Sequence, residues 1–224
     1  MPGHEFFRQA GFFVIPEFID EESAASLRRE MTIAPREKAF VVKEGGIDYL
    51  DEAVRKVESS ELRREIWAPL KARLRGLIDR LQEHFDVQIE DCETPTYLVY
   101  GPGDFFKPHS DGGPRGQSEF TRRRRVSVVI FLNRQSAEPE DGTYGEGRLT
   151  FHGLLDGPQW EHLQLPLTPE PGLLIAFPSE KIHEVTPVSH GLRFTVATWF
   201  YAPDPVEQAS QGRAPAEFST VTAQ

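Results

Sequence analysis

The chain carries two hydrophobic rhythms. Up to about residue 93 the apolar positions recur mostly at helical spacing, and from Thr94 onward they alternate with polar residues or form short blocks bounded by Gly and Pro. In the first part, residues 4–10 predict a short helix closed by Gly11, and Phe12-Phe13-Val14-Ile15 predicts a strand stopped by Pro16. Asp20 suits the N-cap of a helix over 21–31, because its carboxylate can accept from a backbone N–H that a helix start leaves unpaired. Lys38–Lys43 predicts a strand, with Glu44-Gly45-Gly46 turning after it. Leu62, Ile66, Leu70, Leu74, Leu77, Ile78 and Leu81 keep to one face of a helical period. A long helix capped by Ser59 is therefore expected to reach about Phe85, kinked at Pro69.

The second part predicts strands at Thr96–Tyr100, Val126–Leu132, Arg148–His152, Leu163–Leu167, Leu173–Phe177, Ile182–Thr186 and Leu192–Tyr201. In the last of these, Leu192, Phe194, Val196 and Thr198 face one way and Arg193, Thr195, Ala197 and Trp199 the other. Short strands separated by Gly/Pro turns point to a β-sandwich or jelly roll, with the early helices packed on one sheet. The tail from Ala202 is polar, contains Pro203, Pro205 and Pro215, and is expected to be mobile.

Composition narrows the class. With 224 residues, 38% of them hydrophobic, the chain can bury a real core, and 16 Phe, 5 Tyr and 3 Trp exclude a wholly disordered protein. The net charge of −10 disfavours a nucleic-acid partner, because a phosphate backbone would be repelled. Cys92 is the only cysteine, which excludes a disulfide framework and a zinc–thiolate site. Val126–Leu132 and Gly172–Phe177 are the longest apolar stretches and are too short to cross a bilayer. The first residues show no signal-peptide core, so the expectation is a soluble, cytoplasmic protein with no membrane partner. No coiled-coil pattern stands out, and the oligomeric state stays open.

The candidate chemistry starts from the 7 histidines. Two head a His-x-Asp triplet, His84-Phe85-Asp86 and His109-Ser110-Asp111. Residues i and i+2 point the same way on a strand and apart on a helix. His84 and Asp86 end the expected helix and cannot easily share an ion. His109 and Asp111 follow Pro108 in extended sequence and can. Two imidazoles and one carboxylate on one face make an open site of the kind Fe(II) oxygenases use. His183, between a strand and a turn, is the best third ligand, and His152, which also ends a predicted strand, is its rival.

Arg193 adds a second requirement. It follows His183 in the next predicted strand, where a turn would set it beside the metal. A buried guanidinium there needs an anion, and its fork of donors suits a carboxylate. Thr195 faces the same way and could donate another hydrogen bond, whereas the plainer alternative pairs Arg193 with a protein carboxylate such as Glu184. A metal with open positions and a carboxylate clamp nearby suits a small chelating diacid, and 2-oxoglutarate has that shape.

The set His109-x-Asp111, His183 and Arg193 resembles the Fe(II)- and 2-oxoglutarate-dependent dioxygenases, in their prolyl 4-hydroxylase-like branch. The segment Tyr100–Asp111 is similar to the family's approach to its first ligands, Arg125–Asn133 to its next core strand, and Gly145–Phe151 to its Gly-Gly-Glu-Leu turn and strand. The likeness covers about residues 94–201. It implies a mainly β fold with flanking helices, whose core is a double-stranded β-helix of the jelly-roll or cupin-like kind. Residues 1–201 would form one dioxygenase domain, with helical support over 1–93, a catalytic core over 94–201 and a polar tail over 202–224. The likeness also implies Fe(II) held by His109, Asp111 and His183, with Arg193 on the distal carboxylate of 2-oxoglutarate. Tyr100 matches a tyrosine that reaches the co-substrate, and Phe131 stands where many relatives have another tyrosine. O2 would be consumed, succinate and CO2 released, and ascorbate is a candidate reductant.

The resemblance implies hydroxylation of an unactivated C–H in a prolyl residue or an amino-acid-like small molecule. Asp111 favours hydroxylation, since related halogenases have a small residue there. Oxidative nucleic-acid demethylation is the alternative within the family, but those enzymes carry an Arg where Trp199 stands. A non-catalytic β-barrel is the alternative outside it. Arg122–Arg125 is a basic run that could border the site mouth or form a solvated strand start. Gly112–Thr121 and Lys43–Asp51 are candidate lids, and Gly153–Pro171, with Trp160 and His162, reads as an insertion without an assigned role.

Overall fold

The computed structural model describes residues 4–39, 41–42, 48–49, 51–113, 118–154 and 163–204. The expected Glu44-Gly45-Gly46 turn, Trp160, His162, the tail beyond Asp204 and much of both candidate lids lie outside these residues.

Strand Arg193–Tyr201 is the centre of the larger sheet, paired with Arg124–Phe131 on one side and Thr96–Tyr100 on the other. That sheet continues through Leu174–Pro178 to Phe13–Ile15 at one edge, and through Glu58–Ser60 to Arg36–Lys38 at the other. The smaller sheet runs Gln164–Pro166, Leu149–His152, His183–Val185, Phe105–His109, Arg55–Lys56. Every pairing between these strands is antiparallel. The result is the expected mainly β architecture with a double-stranded β-helix core. Each strand expected after Thr94 is present within two residues of its predicted bounds.

The alternation along Arg193–Tyr201 explains how the sheet serves two purposes. Phe194, Val196 and Phe200 join Val126, Val128 and Ile130 in a core against helices α2 (Glu21–Ile33), α3 (Arg64–Arg75) and α4 (Ile78–Phe85). Arg193, Thr195, Ala197 and Trp199 face the inside of the barrel. Helix α2 begins as expected, with the Asp20 carboxylate accepting from the Ser23 N–H at 2.7 Å.

The long helix expected over 59–85 is two helices. Ser59 lies in a strand, α3 starts after Arg63 without a side-chain cap, and the break falls at Gly76-Leu77 rather than at Pro69. Pro69 removes one hydrogen bond and crowds the carbonyl four residues back, at a cost of roughly 3 kcal/mol. Burying Leu70 and Leu74 against the sheet, at ~1.5–3 kcal/mol each, outweighs that and carries the helix through. Gly76 has no side chain to lose and is the cheaper place to redirect the chain.

Two features of the core make testable expectations. Gly172 has φ +79°, and a Cβ there would lie 1.9 Å from the Ile19 carbonyl oxygen. The same glycine accepts from Ile19 N at 3.2 Å and donates to Phe131 O at 2.8 Å, so the backbone cannot simply move away. Gly172→Ala should destabilise the fold by roughly 2–4 kcal/mol and lower its melting temperature by about 5–15 °C in a thermal circular-dichroism scan. Cys92 is fully buried, and burial pushes its thiol up to about 11. At pH 8 it is therefore protonated as well as enclosed, and a chromogenic disulfide reagent should react with it only after unfolding.

Candidate active site

His109 ends one strand of the smaller sheet and is the direct cross-strand partner of His183, which begins another. Opposed residues of an antiparallel pair project from the same face, so the ladder itself brings the two imidazoles together. Asp111 lies two residues beyond His109, where its backbone N–H and that of Gly112 both donate to the Ser179 carbonyl, at 2.9 and 3.1 Å. One ligand atom from each of His109, Asp111 and His183 lies within 4.8 Å of the others. His109 Nε2 is 3.5 Å from Asp111 Oδ1, and His183 Nε2 is 3.5 Å from Asp111 Oδ2.

The outer ring nitrogens set the tautomers. His109 Nδ1 donates to the Lys107 carbonyl at 2.8 Å, and His183 Nδ1 donates to the Lys181 carbonyl at 2.9 Å. Each bond places the ring proton on Nδ1 and turns the Nε2 lone pair toward the carboxylate, as metal-ligating histidines require. Burial holds the His183 imidazole down to about 4, against the pull of Asp111, so it is neutral at pH 7. Burial opposes ionisation of Asp111, but His183, His109 and the Ser127 hydroxyl outweigh it and keep the carboxyl well below its usual range. Phe106 stacks on His109 at 3.5 Å and Phe177 sets its edge against His183 at 4.9 Å, which fixes both rings. Two imidazoles with inward-facing Nε2 atoms and a carboxylate between them fit a divalent iron.

Arg193 faces the same cavity from the opposite sheet. Its strand does not follow His183 directly as expected. Val188–Gly191 intervenes and pairs with Tyr144–Glu146, while Arg193 pairs with Tyr100. Two sheets facing across a barrel achieve the proximity that a simple hairpin was expected to give. Arg193 is 1% exposed, and among the described residues no carboxylate pairs with it. Its Nη1 donates to the Thr195 hydroxyl at 3.2 Å and its Nε makes no hydrogen bond. Glu184, the alternative partner, bonds instead to His152 at 3.1 Å, and that pairing also removes His152 as a metal ligand. Three rings cage the guanidinium, with Tyr100, Phe131 and Tyr144 centred 4.9, 5.4 and 6.0 Å from its carbon. A buried cation with only aromatic faces and one hydroxyl around it suits the carboxylate of a bound acid.

Other residues at the site were not expected from sequence. Arg55, Phe106 and Trp199 line the cavity with the His-Asp-His set. Arg124 grips Glu93 through two bonds of 2.5 and 2.8 Å, stacks over Trp199 at 3.9 Å and donates to the Asp111 carbonyl at 3.1 Å. Within Arg122–Arg125 it therefore braces a ligand loop and is no solvated strand start. Arg123 also has local work, pairing with Glu90 at 2.7 Å. A run of four like charges gives no hint of which one is buried. His84 and Asp86 stay apart from all this, His84 bonding the Gly11 carbonyl and Asp86 closing α4 in the left-handed conformation.

An open two-His, one-carboxylate set is the arrangement that non-haem Fe(II) oxygenases use to activate O2, and here it faces a buried guanidinium across a β-helix. Residues 95–201 match the sequence model of the 2OG-Fe(II) oxygenase superfamily. A PKHD-type hydroxylase of Klebsiella pneumoniae (strain 342) is 26% identical over 191 residues, covering 83% of this chain and 76% of that protein. Among solved structures, a Pseudomonas putida prolyl-4-hydroxylase shares the fold at TM-score 0.63 and 23% identity, over 87% of this chain and 94% of that one. A Trichoplax adhaerens prolyl hydroxylase, solved with a hypoxia inducible factor peptide fragment, shares it at TM-score 0.64 and 19% identity, over 93% and 90%. The match places residues 95–201 in the 2OG-Fe(II) oxygenase superfamily, and the chain is a dioxygenase that uses Fe(II), 2-oxoglutarate and O2. None of its described helices is long and apolar enough to cross a membrane.

Proposed function

We propose that His109, Asp111 and His183 hold the Fe(II), that Arg193 with Thr195 and Tyr100 binds the distal carboxylate of 2-oxoglutarate, and that the substrate is a peptidyl proline or an amino-acid-like molecule hydroxylated at carbon. The observation that carries this is the buried Arg193, without an acidic partner among the described residues, facing a His-Asp-His set whose Nε2 atoms point inward. When bound, iron with its co-substrate supplies the oxidising power that places an oxygen atom into a C–H bond, releasing succinate and CO2.

The protein's part is to orient and enclose. The Lys107 and Lys181 carbonyls aim the two imidazoles, and Ser179 and Arg124 hold the Asp111 backbone. Arg193 fixes the far end of the diacid and so directs its keto acid toward the histidines. Asp111 itself occupies the ligand position that a halide would need, which favours hydroxylation. Trp199 on the cavity wall offers a flat apolar face, suited to a compact ring such as proline. The name of the Klebsiella relative supports hydroxylation, and the Trichoplax prolyl hydroxylase with its bound peptide fragment supports a prolyl-type substrate. Residues 1–201 are read as one catalytic unit, because strands from both halves of the chain build both sheets.

The test is an anaerobic titration of the protein with Fe(II) and 2-oxoglutarate, followed by visible absorption. A charge-transfer band that needs both additions is the expected result, and its absence in folded protein would sink the site assignment. Prolyl peptides and free amino acids are then compared by succinate release. Stimulation by prolyl peptides supports the substrate reading, and stimulation by neither group removes it.

A further inference from the structure

We infer that Tyr144 is a co-substrate-binding residue, its hydroxyl donating a hydrogen bond to the distal carboxylate of 2-oxoglutarate beside Arg193. This rests on the reading of Arg193 as the carboxylate clamp and adds a residue that neither the motif spacing nor the resemblance points to.

Tyr144 is 1% exposed, yet its hydroxyl oxygen makes no hydrogen bond. A buried phenol ordinarily finds a partner, and leaving one unmatched is costly. The neighbouring Arg193 Nε is likewise buried and unmatched. The phenol oxygen can accept from the guanidinium, but among the described residues the Tyr144 O–H and Arg193 Nε find no acceptor, and two such donors in one enclosed place suit an anion. Burial raises the Tyr144 phenol above its ordinary value, and the nearby guanidinium only partly offsets this, so the hydroxyl keeps its proton and can donate.

The backbone holds the two side chains together. A Cβ at Gly147 would lie 3.2 Å from Arg193 Cδ and 3.5 Å from Tyr144 Cδ2, so this turn packs against both. Tyr144 also pairs with Gly191, two residues before Arg193, and a Cβ at Gly191 would sit 2.1 Å from the Thr143 carbonyl oxygen. Phe131, on another side of the guanidinium, has no hydroxyl to offer. Tyr144 supplies from a different strand the donor that a tyrosine at 131 would give.

The experiment measures 2-oxoglutarate affinity from the anaerobic Fe(II) charge-transfer band in the wild type, Tyr144→Phe and Tyr97→Phe. Tyr97 is the control, a second buried hydroxyl without a partner that sits in the helix-side core. Tyr144→Phe should raise the Kd for 2-oxoglutarate about tenfold or more, the usual effect of one hydrogen bond to a charged group. It should leave the Kd for 2-oxobutyrate, which lacks the distal carboxylate, unchanged. Tyr97→Phe should alter neither, and Tyr144→Phe should melt no lower than the wild type without co-substrate. Unchanged 2-oxoglutarate affinity in Tyr144→Phe, or an equal loss for both acids, overturns the role of Tyr144 while leaving the clamp at Arg193 standing. A wild type with no 2-oxoglutarate-dependent band overturns the clamp reading and the role of Tyr144 with it.

Discussion

Arg193→Met is expected to raise the Kd for 2-oxoglutarate by about a hundredfold or more while Fe(II) binding stays near wild type. Two charge-assisted hydrogen bonds to a carboxylate contribute ~1.5–3 kcal/mol each, and methionine can make neither. Iron affinity is spared because the guanidinium lies on the sheet opposite His183 and bonds none of the three ligands. The same variant should show a second signature. Arg193 is a buried charge that, among the described residues, is met by Thr195 and three aromatic rings. Replacing such a charge by an apolar side chain of similar length is often neutral or stabilising. Without co-substrate, Arg193→Met should therefore melt at or above the wild type, and added 2-oxoglutarate should stabilise only the wild type. Arg193→Lys is not a conservative control, since a point ammonium cannot reproduce the fork. Iron and co-substrate titrations with paired melting curves check all of this. A variant that binds 2-oxoglutarate normally removes the carboxylate clamp from Arg193.

Asp111→Ala is expected to weaken Fe(II) binding by at least ~100-fold and to abolish succinate formation. Loss of a residue that merely supports a ligand already costs roughly 10–100-fold in metal affinity, and Asp111, proposed as a ligand itself, sets its carboxylate 3.5 Å from both Nε2 atoms. The variant should fold, because the loop is held by main-chain groups that alanine keeps. Asp111 N–H still donates to Ser179 and its carbonyl still accepts from Arg124. Removing a buried carboxylate also removes its desolvation cost, although His109 and His183 lose the group their Nε2 atoms face. Anaerobic Fe(II) titration with a folding check by circular dichroism separates metal loss from unfolding. Wild-type iron affinity in a folded variant would exclude Asp111 as a ligand.

Much of this architecture was readable from residue order. Strands after Thr94 announced themselves because each shows alternation or a short apolar block, most of them with Gly or Pro at an end. The pair His109 and Asp111 was readable because i and i+2 share a face in extended chain. Thr195 was placed beside Arg193 by the same rule. The helix over 59–85 was misplaced because periodicity reports which face is apolar and not where the backbone turns. Leu74 and Leu77 fit one stripe whether or not Gly76 interrupts it.

The roles of Glu184, Arg124 and Tyr144 could not be read in that way. Glu184 and His152 look like free candidates in a string, and only the ladder that sets Thr150 opposite Glu184 brings them together. Arg124 is one of four successive arginines, and its packing against Trp199 and Glu93 depends on a strand residue 75 positions away and a segment before the barrel. Residue order was enough for strand alternation, the chelating spacing and the class of chemistry, because these depend on local geometry and side-chain type. Packing between the two sheets decided that Arg193 meets the histidines from the opposite wall, that no acidic side chain among the described residues neutralises it, and that Tyr144 stands beside it. Those facts arise from contacts between segments far apart along the chain, whose meeting is set by the register of the ladders and the closure of the barrel.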